Sequence, residues 1–338
     1  MALCYNFRVP DAPGGRAPPI SDHIGDITME KQTITIGLPR AMLYYRYAVL
    51  WKTFFQELGM ETVVSDPTDR DILERGTALA IDEACLSLKI YLGHVAALVG
   101  KCDYILVPRV SNFGRQRNMC TRFESTPDLV RNVFRNDRQE FLSYEVDEEK
   151  KKKGEADAFV EMGKALGCTP KASKKAYKQA KKAELAQHKA RVQKYEQRYK
   201  KEGMKVLIAA HSYVAEDPYM GRAVTDYLKR VGVIPVRADI VDRDTALKRG
   251  RELSPTCKWE INREILGGIA MHQNDVDGII LLSAFPCGPD AMVNELVTRR
   301  VKNVPILNLV LDSQSGTAGV ETRLESFIDI IRFKEGKL

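Results

Sequence analysis

Apolar positions along the chain fall into short runs separated by stretches of helical periodicity. Thr33-Ile-Thr-Ile-Gly37 is such a run, and Leu38-Pro39-Arg40 turns after it. Leu50, Trp51, Phe54, Phe55 and Leu58 then recur at the three- and four-residue spacing of a helix, which Gly59 ends. Residues 61–65 predict a strand, 78–81 another, Leu86 to Val99 a helix and 102–108 a further strand, with a polar loop from Arg109 to Cys120. The later part repeats the pattern. Strands are predicted at 204–210, 233–237, 277–284 and 304–311, and helices at 219–231, 260–271, 289–300 and 317–331. Strands and helices alternating at this spacing predict parallel sheets with crossover helices.

Between the two series the character changes. Residues 171–201 are Ala, Lys, Gln and Glu with hardly a β-branched residue, which predicts a long helix. The expected architecture is therefore α/β. Two Rossmann-like parallel-sheet domains, 31–147 and 204–338, are joined by a basic helical linker, 148–203. Neither carries the glycine fingerprint that a dinucleotide would require. Residues 1–30, rich in Pro, Gly and Asp without an apolar core, read as a disordered tail and not as a secretory signal, with Met29 as an alternative initiator.

Charge changes this picture little. The net charge of +7 is concentrated between Lys150 and Lys201, where 17 basic and 5 acidic residues leave the rest of the chain at −5. Few aromatics accompany the basic residues and no nucleic-acid motif is present, so a solvated helix face is the preferred reading. No apolar run approaches the ~20 residues of a membrane span. Seven cysteines without a signal sequence and without a CxxC pair suggest reduced thiols in the cytoplasm.

Three of those cysteines stand in comparable places. Cys85 follows the candidate strand 78–81 at the start of a helix, Cys120 ends the loop after strand 102–108, and Cys287 lies between strand 277–284 and the helix opened by Pro289. Carboxyl ends of strands are where open α/β sheets build their sites. Three convergent thiolates can hold an iron–sulfur cluster with one iron open, and helix N-termini at Cys85 and Cys287 favour the thiolate. Most free cysteines are simply small buried hydrophobes, so spacing alone leaves both readings open. A zinc site would need a fourth ligand that the sequence does not identify.

Other residues admit two readings each. His94 reads as a core or capping histidine. His211, at the end of strand 204–210, could donate to a substrate carbonyl or to a cluster, or line a pocket. Arg40 and Arg109 could bind anions or make surface salt bridges. In Asp312-Ser-Gln-Ser-Gly-Thr-Ala-Gly319, Gly316 and Gly319 allow backbone N–H groups to face an anion such as a CoA phosphate, or form a tight turn.

IGLPRAMLYYRYAVLWKTFFQELG, AIDEACLSLKIYLGHV, DYILVPRV, LLSAFPCGPDAM and LDSQSGTAGVETRLESF, in that order from about Thr33 to Ile331, resemble the conserved-domain family related to 2-hydroxyacyl-CoA dehydratase. That superfamily includes benzoyl-CoA reductase subunits, double-cubane cluster proteins and activase-related proteins. The resemblance implies two Rossmann-like domains and a 4Fe-4S or double-cubane cluster held by Cys85, Cys120 and Cys287. Leu86-Ser87 and Thr121-Arg122 replace the proline that often follows the first two ligands in relatives, and Ser212 replaces a proline after His211. The implied partner is an ATP-dependent activase, and the implied assembly a homo- or heterodimer. As a dehydratase-like component the protein would pass an electron to an acyl-CoA carbonyl, with His211 steadying that carbonyl; a double-cubane relative would reduce another small molecule. As a non-catalytic companion of an activase it would only transfer electrons or regulate.

Overall fold

The computed structural model describes residues 33–314 and 317–334, and those from Thr33 onward form one compact unit. The predicted tail and Gly316 lie outside the described residues.

The first sheet is built from β1 (Thr35–Leu38), β2 (Glu61–Val64), β3 (Tyr104–Leu106) and β5 (Glu140–Leu142), all parallel, in the order β2-β1-β3-β5. β4 (Arg109–Asn112) and β6 (Glu145–Asp147) continue β3 and β5 as a separate parallel pair. The crossovers are α1 (Tyr44–Glu57), α2 (Arg70–Leu79), α3 (Leu86–Leu98) and α4 (Thr121–Val133). The second sheet, β10-β9-β7-β8, is also parallel, with β7 (Lys205–Ala209), β8 (Ile234–Arg237), β9 (Gly278–Ala284) and β10 (Ile306–Leu311). Its helices are α7 (Ser212–Ala215), α8 (Gly221–Arg230), α9 (Arg243–Leu253), α10 (Glu260–His272), α11 (Gly288–Arg300) and α12 (Thr317–Lys334). All seven residues of β9 are buried, as expected of a strand covered on both faces.

Between the sheets, α5 (Glu155–Ala165) leads into α6 (Pro170–Tyr199). Thr169 caps α6 by accepting from Ala172 N–H, and Pro170 opens it. Its buried residues, Ser173, Ala176, Ala180 and Glu184, form a narrow stripe against the core; Lys181 turns in to pair with Glu155 and Glu184, and most of its other lysines are exposed. The basic run is therefore the solvated side of a helix that packs on the core. Among the described residues no helix is long and apolar enough to cross a membrane.

Three sequence expectations differ from the structure. Residues 78–81 are not a strand; Ala78 and Leu79 finish α2, which Asp69 starts by accepting from Ile72 N–H at 2.9 Å. The segment cannot reach a sheet because α2 lies flush on α3. A Cβ on Gly76 would stand 1.8 Å from the Lys89 carbonyl oxygen, and one on Gly93 1.9 Å from that of Ile72. The loop 109–120 is partly strand, because its Arg109–Asn112 segment pairs with Glu145–Asp147. α4 and α9 were not anticipated, nor were β5 and β6: α4 contains Pro127, and α9 is too polar to show a clear apolar stripe.

His94 is buried in the core between two hydroxyls, Ser65 Oγ at 2.8 Å from Nδ1 and Thr68 Oγ1 at 2.9 Å from Nε2. Thr68 also donates to Asp217, which precedes α8, so this network joins the two sheets' surroundings. Burial, aided by Arg40, pushes the imidazole down to about 4.

Two measurements follow from this packing. Gly93→Ala should lower unfolding free energy by about 1–3 kcal/mol through overpacking at the α2–α3 contact, read from the urea midpoint. The folded protein keeps His94 neutral down to about pH 4, whereas the unfolded chain binds that proton near pH 6.5. The stability this gives is full above pH 6.5 and is lost as the pH falls toward 4. Wild type should lose about 3 kcal/mol more across that window than His94→Gln in pH-dependent denaturation.

Candidate functional site

Each sheet reverses its strand order once, the first between β1 and β3 and the second between β7 and β9. Open α/β sheets leave a crevice at the carboxyl side of such points. Met42 follows β1 and Cys120 follows β4; His211 follows β7 and Cys287 follows β9. All four line a single cavity, with Arg122, Phe123 and Tyr213 from the helices that follow and Cys85 and Ser87 from the head of α3. The start of α10 contributes Trp259, Ile261 and Asn262.

The structure thus brings together the three cysteines and the histidine singled out from the sequence. The route is not the expected one for Cys85, which follows helix α2 and a turn. It reaches the cavity because Leu86 N–H, at the head of α3, donates to the Phe285 carbonyl at 2.8 Å. This bond crosses from one sheet's elements to the other's and satisfies an N–H that no helix can pair internally.

Each cysteine occupies an N-cap position: Cys85 before α3, Cys120 before α4 and Cys287 before α11. Three helix N-termini, each worth about half a positive charge, therefore sit beside the three sulfurs. All three residues are free thiols, neither fully buried nor fully exposed. Burial raises Cys85, despite the opposing Leu88 N–H, and neighbouring Cys120 adds to it. Burial and then Asp290 raise Cys287 well above the ordinary thiol range. The Tyr213 phenol is likewise pushed up, first by burial and then by Cys287, Asp290, Cys85 and Cys120, so it stays a hydrogen-bond donor.

A second set of contacts was not anticipated. Asp290 Oδ1, in the first turn of α11, lies 2.7 Å from His211 Nε2 and accepts from Asn262 Nδ2 at 2.8 Å. Burial opposes ionisation of Asp290, but His211, Asn262 and Cys287 together hold it below the usual carboxylate range. One donor atom each from His211, Cys287 and Asp290 lies within 4.8 Å of the others. The only sequence signal was an aspartate three residues after Cys287; nothing in 259–262 marked Trp259 or Asn262. Two buried polar atoms of cavity-lining residues have no partner, His211 Nδ1 and Ser87 Oγ.

This donor set suits a metal centre. Three cysteines line one cavity together with a histidine that has one buried ring nitrogen without a partner, and buried polar atoms ordinarily find partners. The cavity is small, about 40 Å³, which is room for about three waters. A larger one, about 450 Å³, borders Glu260 and Glu264 of α10, half a turn round from Asn262. Its four most prominent charges are paired, Arg46 with Glu264 and Arg117 with Glu260, and neither a cysteine nor a histidine lines it. Chemistry, not size, selects the cysteine cavity.

The remaining candidates lie elsewhere. Gly319 is in the first turn of α12 with open space about it, after the edge strand β10, and is not among the cavity's lining residues. Arg109 is engaged with Asp128 at 2.7 Å and Arg40 with the Ser65 carbonyl at 3.1 Å. Cys102 and Cys257 have their sulfurs near the carbonyls of Leu98 and Trp259.

A family model described as "CoA enzyme activase uncharacterised domain (DUF2229)" matches residues 35–241, more than half of the chain, and the chain belongs to that family. No curated protein matches it. Among solved structures, the SBP FpvC from Pseudomonas aeruginosa in complex with Mn2+ is 13% identical, with 89% of this chain and 98% of that chain covered and a TM-score of 0.27. A crystal structure of ZnuA is 10% identical, with 89% and 98% covered and a TM-score of 0.25.

Proposed function

We propose that this member of the CoA enzyme activase uncharacterised domain family is an iron–sulfur protein that accepts low-potential electrons from an ATP-dependent activase. The observation that carries this reading is the convergence of Cys85, Cys120 and Cys287, each at a helix N-cap, on one cavity. The family links the chain to CoA enzyme activation, and the donor set accounts for how it would take part. A 4Fe-4S or double-cubane cluster in that cavity would supply a one-electron couple that no side chain provides.

The chain's own residues have three tasks. Cys85, Cys120 and Cys287 hold the cluster through their sulfurs. The N-termini of α3, α4 and α11 offset the negative charge those thiolates carry. Met42, Met119, Phe123, Trp259 and Pro289 line the cavity and limit water at the sulfurs. Two ligands come from the 31–147 region and one from 204–338, so the two proposed domains would share one centre.

Small-molecule sites usually have about 300–1,000 Å³, against about 40 Å³ here. This is less than a cubane cluster occupies as well as less than a substrate does, so size does not separate a 2-hydroxyacyl-CoA dehydratase or double-cubane reductase component from an electron-transfer or regulatory companion of the activase. The activase is the proposed partner and a reducing cytoplasm the proposed setting.

Purification without oxygen, with iron and sulfide measured per chain, tests this. Wild type should carry about four irons or more, and Cys287→Ala should lose them. An EPR signal of the reduced protein altered by added acyl-CoA would mark a dehydratase component, and an unaltered one the electron-transfer companion. Near-zero iron in well-folded protein after anaerobic reconstitution would overturn the reading.

A further inference from the structure

We infer that a pocket between α6 and α8, at the β8 edge of the second sheet, binds a phosphate group. Nothing in this depends on the iron–sulfur reading, because none of the cysteines takes part.

Both helices pack on β8, the edge strand of its sheet, and a cavity of about 150 Å³ is lined by residues of all three elements. Its lining carries four cations, Arg198, Arg222, Lys229 and Arg237, against two carboxylates, Glu216 and Asp226. The cations converge from different parts of the chain. Arg198 stands in the last turn of α6 and Arg237 ends β8. Arg222 and Lys229, with Thr225 between them, are spaced three and four residues apart and so share one face of α8.

Both carboxylates are already neutralised. Glu216 Oε1 lies 2.6 Å from Arg191 Nη2 and 3.4 Å from Arg237 Nη2, and Asp226 pairs with Lys229 at 3.1 Å. That leaves Arg198 and Arg222, neither of which has a carboxylate partner among the described residues. The head of Arg198 is fixed at the pocket wall. Its Cζ stands 4.2 Å from the centre of the Tyr195 ring and Nη1 donates to the Pro235 carbonyl at 3.4 Å, and both of those residues line the cavity. A guanidinium held against a ring in this way is positioned in advance and keeps its remaining N–H groups for an oxygen ligand. Arg222 faces the same space from an exposed position, and Thr225 adds a hydroxyl to the lining.

Unpaired guanidinium forks match the oxygens of phosphate, with two parallel N–H bonds from each. The cavity has room for about ten waters, which accommodates a phosphoryl group. The larger charged cavity beside α10 offers no such pair, since its Arg46, Arg117, Lys181 and Arg243 are each held by a carboxylate. Free phosphate and the phosphoryl end of an organic monoester share the chemistry that this pocket recognises.

Isothermal titration calorimetry of the full-length protein tests this at fixed ionic strength, with inorganic phosphate and separately with glycerol 3-phosphate. One saturable site per chain is expected. Arg198→Gln and Arg222→Gln should each weaken it about tenfold or more. Lys182→Gln removes the same charge about 24 Å from Arg198 along α6 and should leave binding unchanged. Tighter binding of the ester would assign the site to a monoester, and tighter binding of inorganic phosphate to the free ion. Folded wild type that saturates with neither would overturn the inference. So would equal losses in Lys182→Gln and the two arginine variants, because net charge alone would then account for the binding.

Discussion

Two parallel sheets make a shared crevice only if something holds one against the other, and here α10 does so with buried charge. Glu264 takes both terminal nitrogens of Arg46 from α1, at 2.6 and 2.8 Å, and Glu260 takes Arg117 at 2.6 and 2.9 Å. Glu264 and Glu260 are almost wholly buried. Removing one partner from such a pair typically costs about 3–5 kcal/mol, because a buried charge is left uncompensated. The same helix head is stitched to the Cys120 loop by two backbone bonds of 2.8 Å, Asn118 N–H to the Lys258 carbonyl and Glu260 N–H to that of Asn118. The position of Asn262, and so of Asp290 and His211, follows from that docking.

The sulfurs depend on this registration in turn. Cys120 stands beside the docked loop, Cys287 at the end of the most deeply buried strand, and Cys85 on a helix whose first N–H is tied to the chain just before Cys287. Each thiol is placed by backbone at a helix N-cap; the Cys85 sulfur meets the Leu88 N–H and the Cys287 sulfur meets Asp290.

Much of the fold was legible from the chain because β1, β7, β9 and β10 are short apolar runs bounded by turns, and α1, α3 and α10 carry enough apolar residues to announce themselves. Residues 78–81 were misread because Ala-Leu-Ala-Ile suits a buried strand or a helix end equally well. What settles it is the fit of Gly76 and Gly93 between α2 and α3, a contact between positions 17 residues apart. β4 was hidden for a related reason. Arg109-Val-Ser-Asn112 has one apolar residue and becomes a strand only by pairing with Glu145–Asp147.

By itself the sequence determined an α/β chain with two strand–helix series and a basic helix between them, because period and length are local properties. It also marked Cys85, Cys120, Cys287 and His211 by their neighbours. Only the tertiary structure decided that these four line one cavity, since they lie as many as 202 positions apart in the chain and meet at two switch points that no local pattern encodes. It alone recruited Asp290, Asn262 and Tyr213, whose roles come from burial and from what they face. An aspartate in a first helical turn usually only caps or complements the helix; it becomes the partner of a histidine when folding removes water from both and leaves each the other's best hydrogen bond.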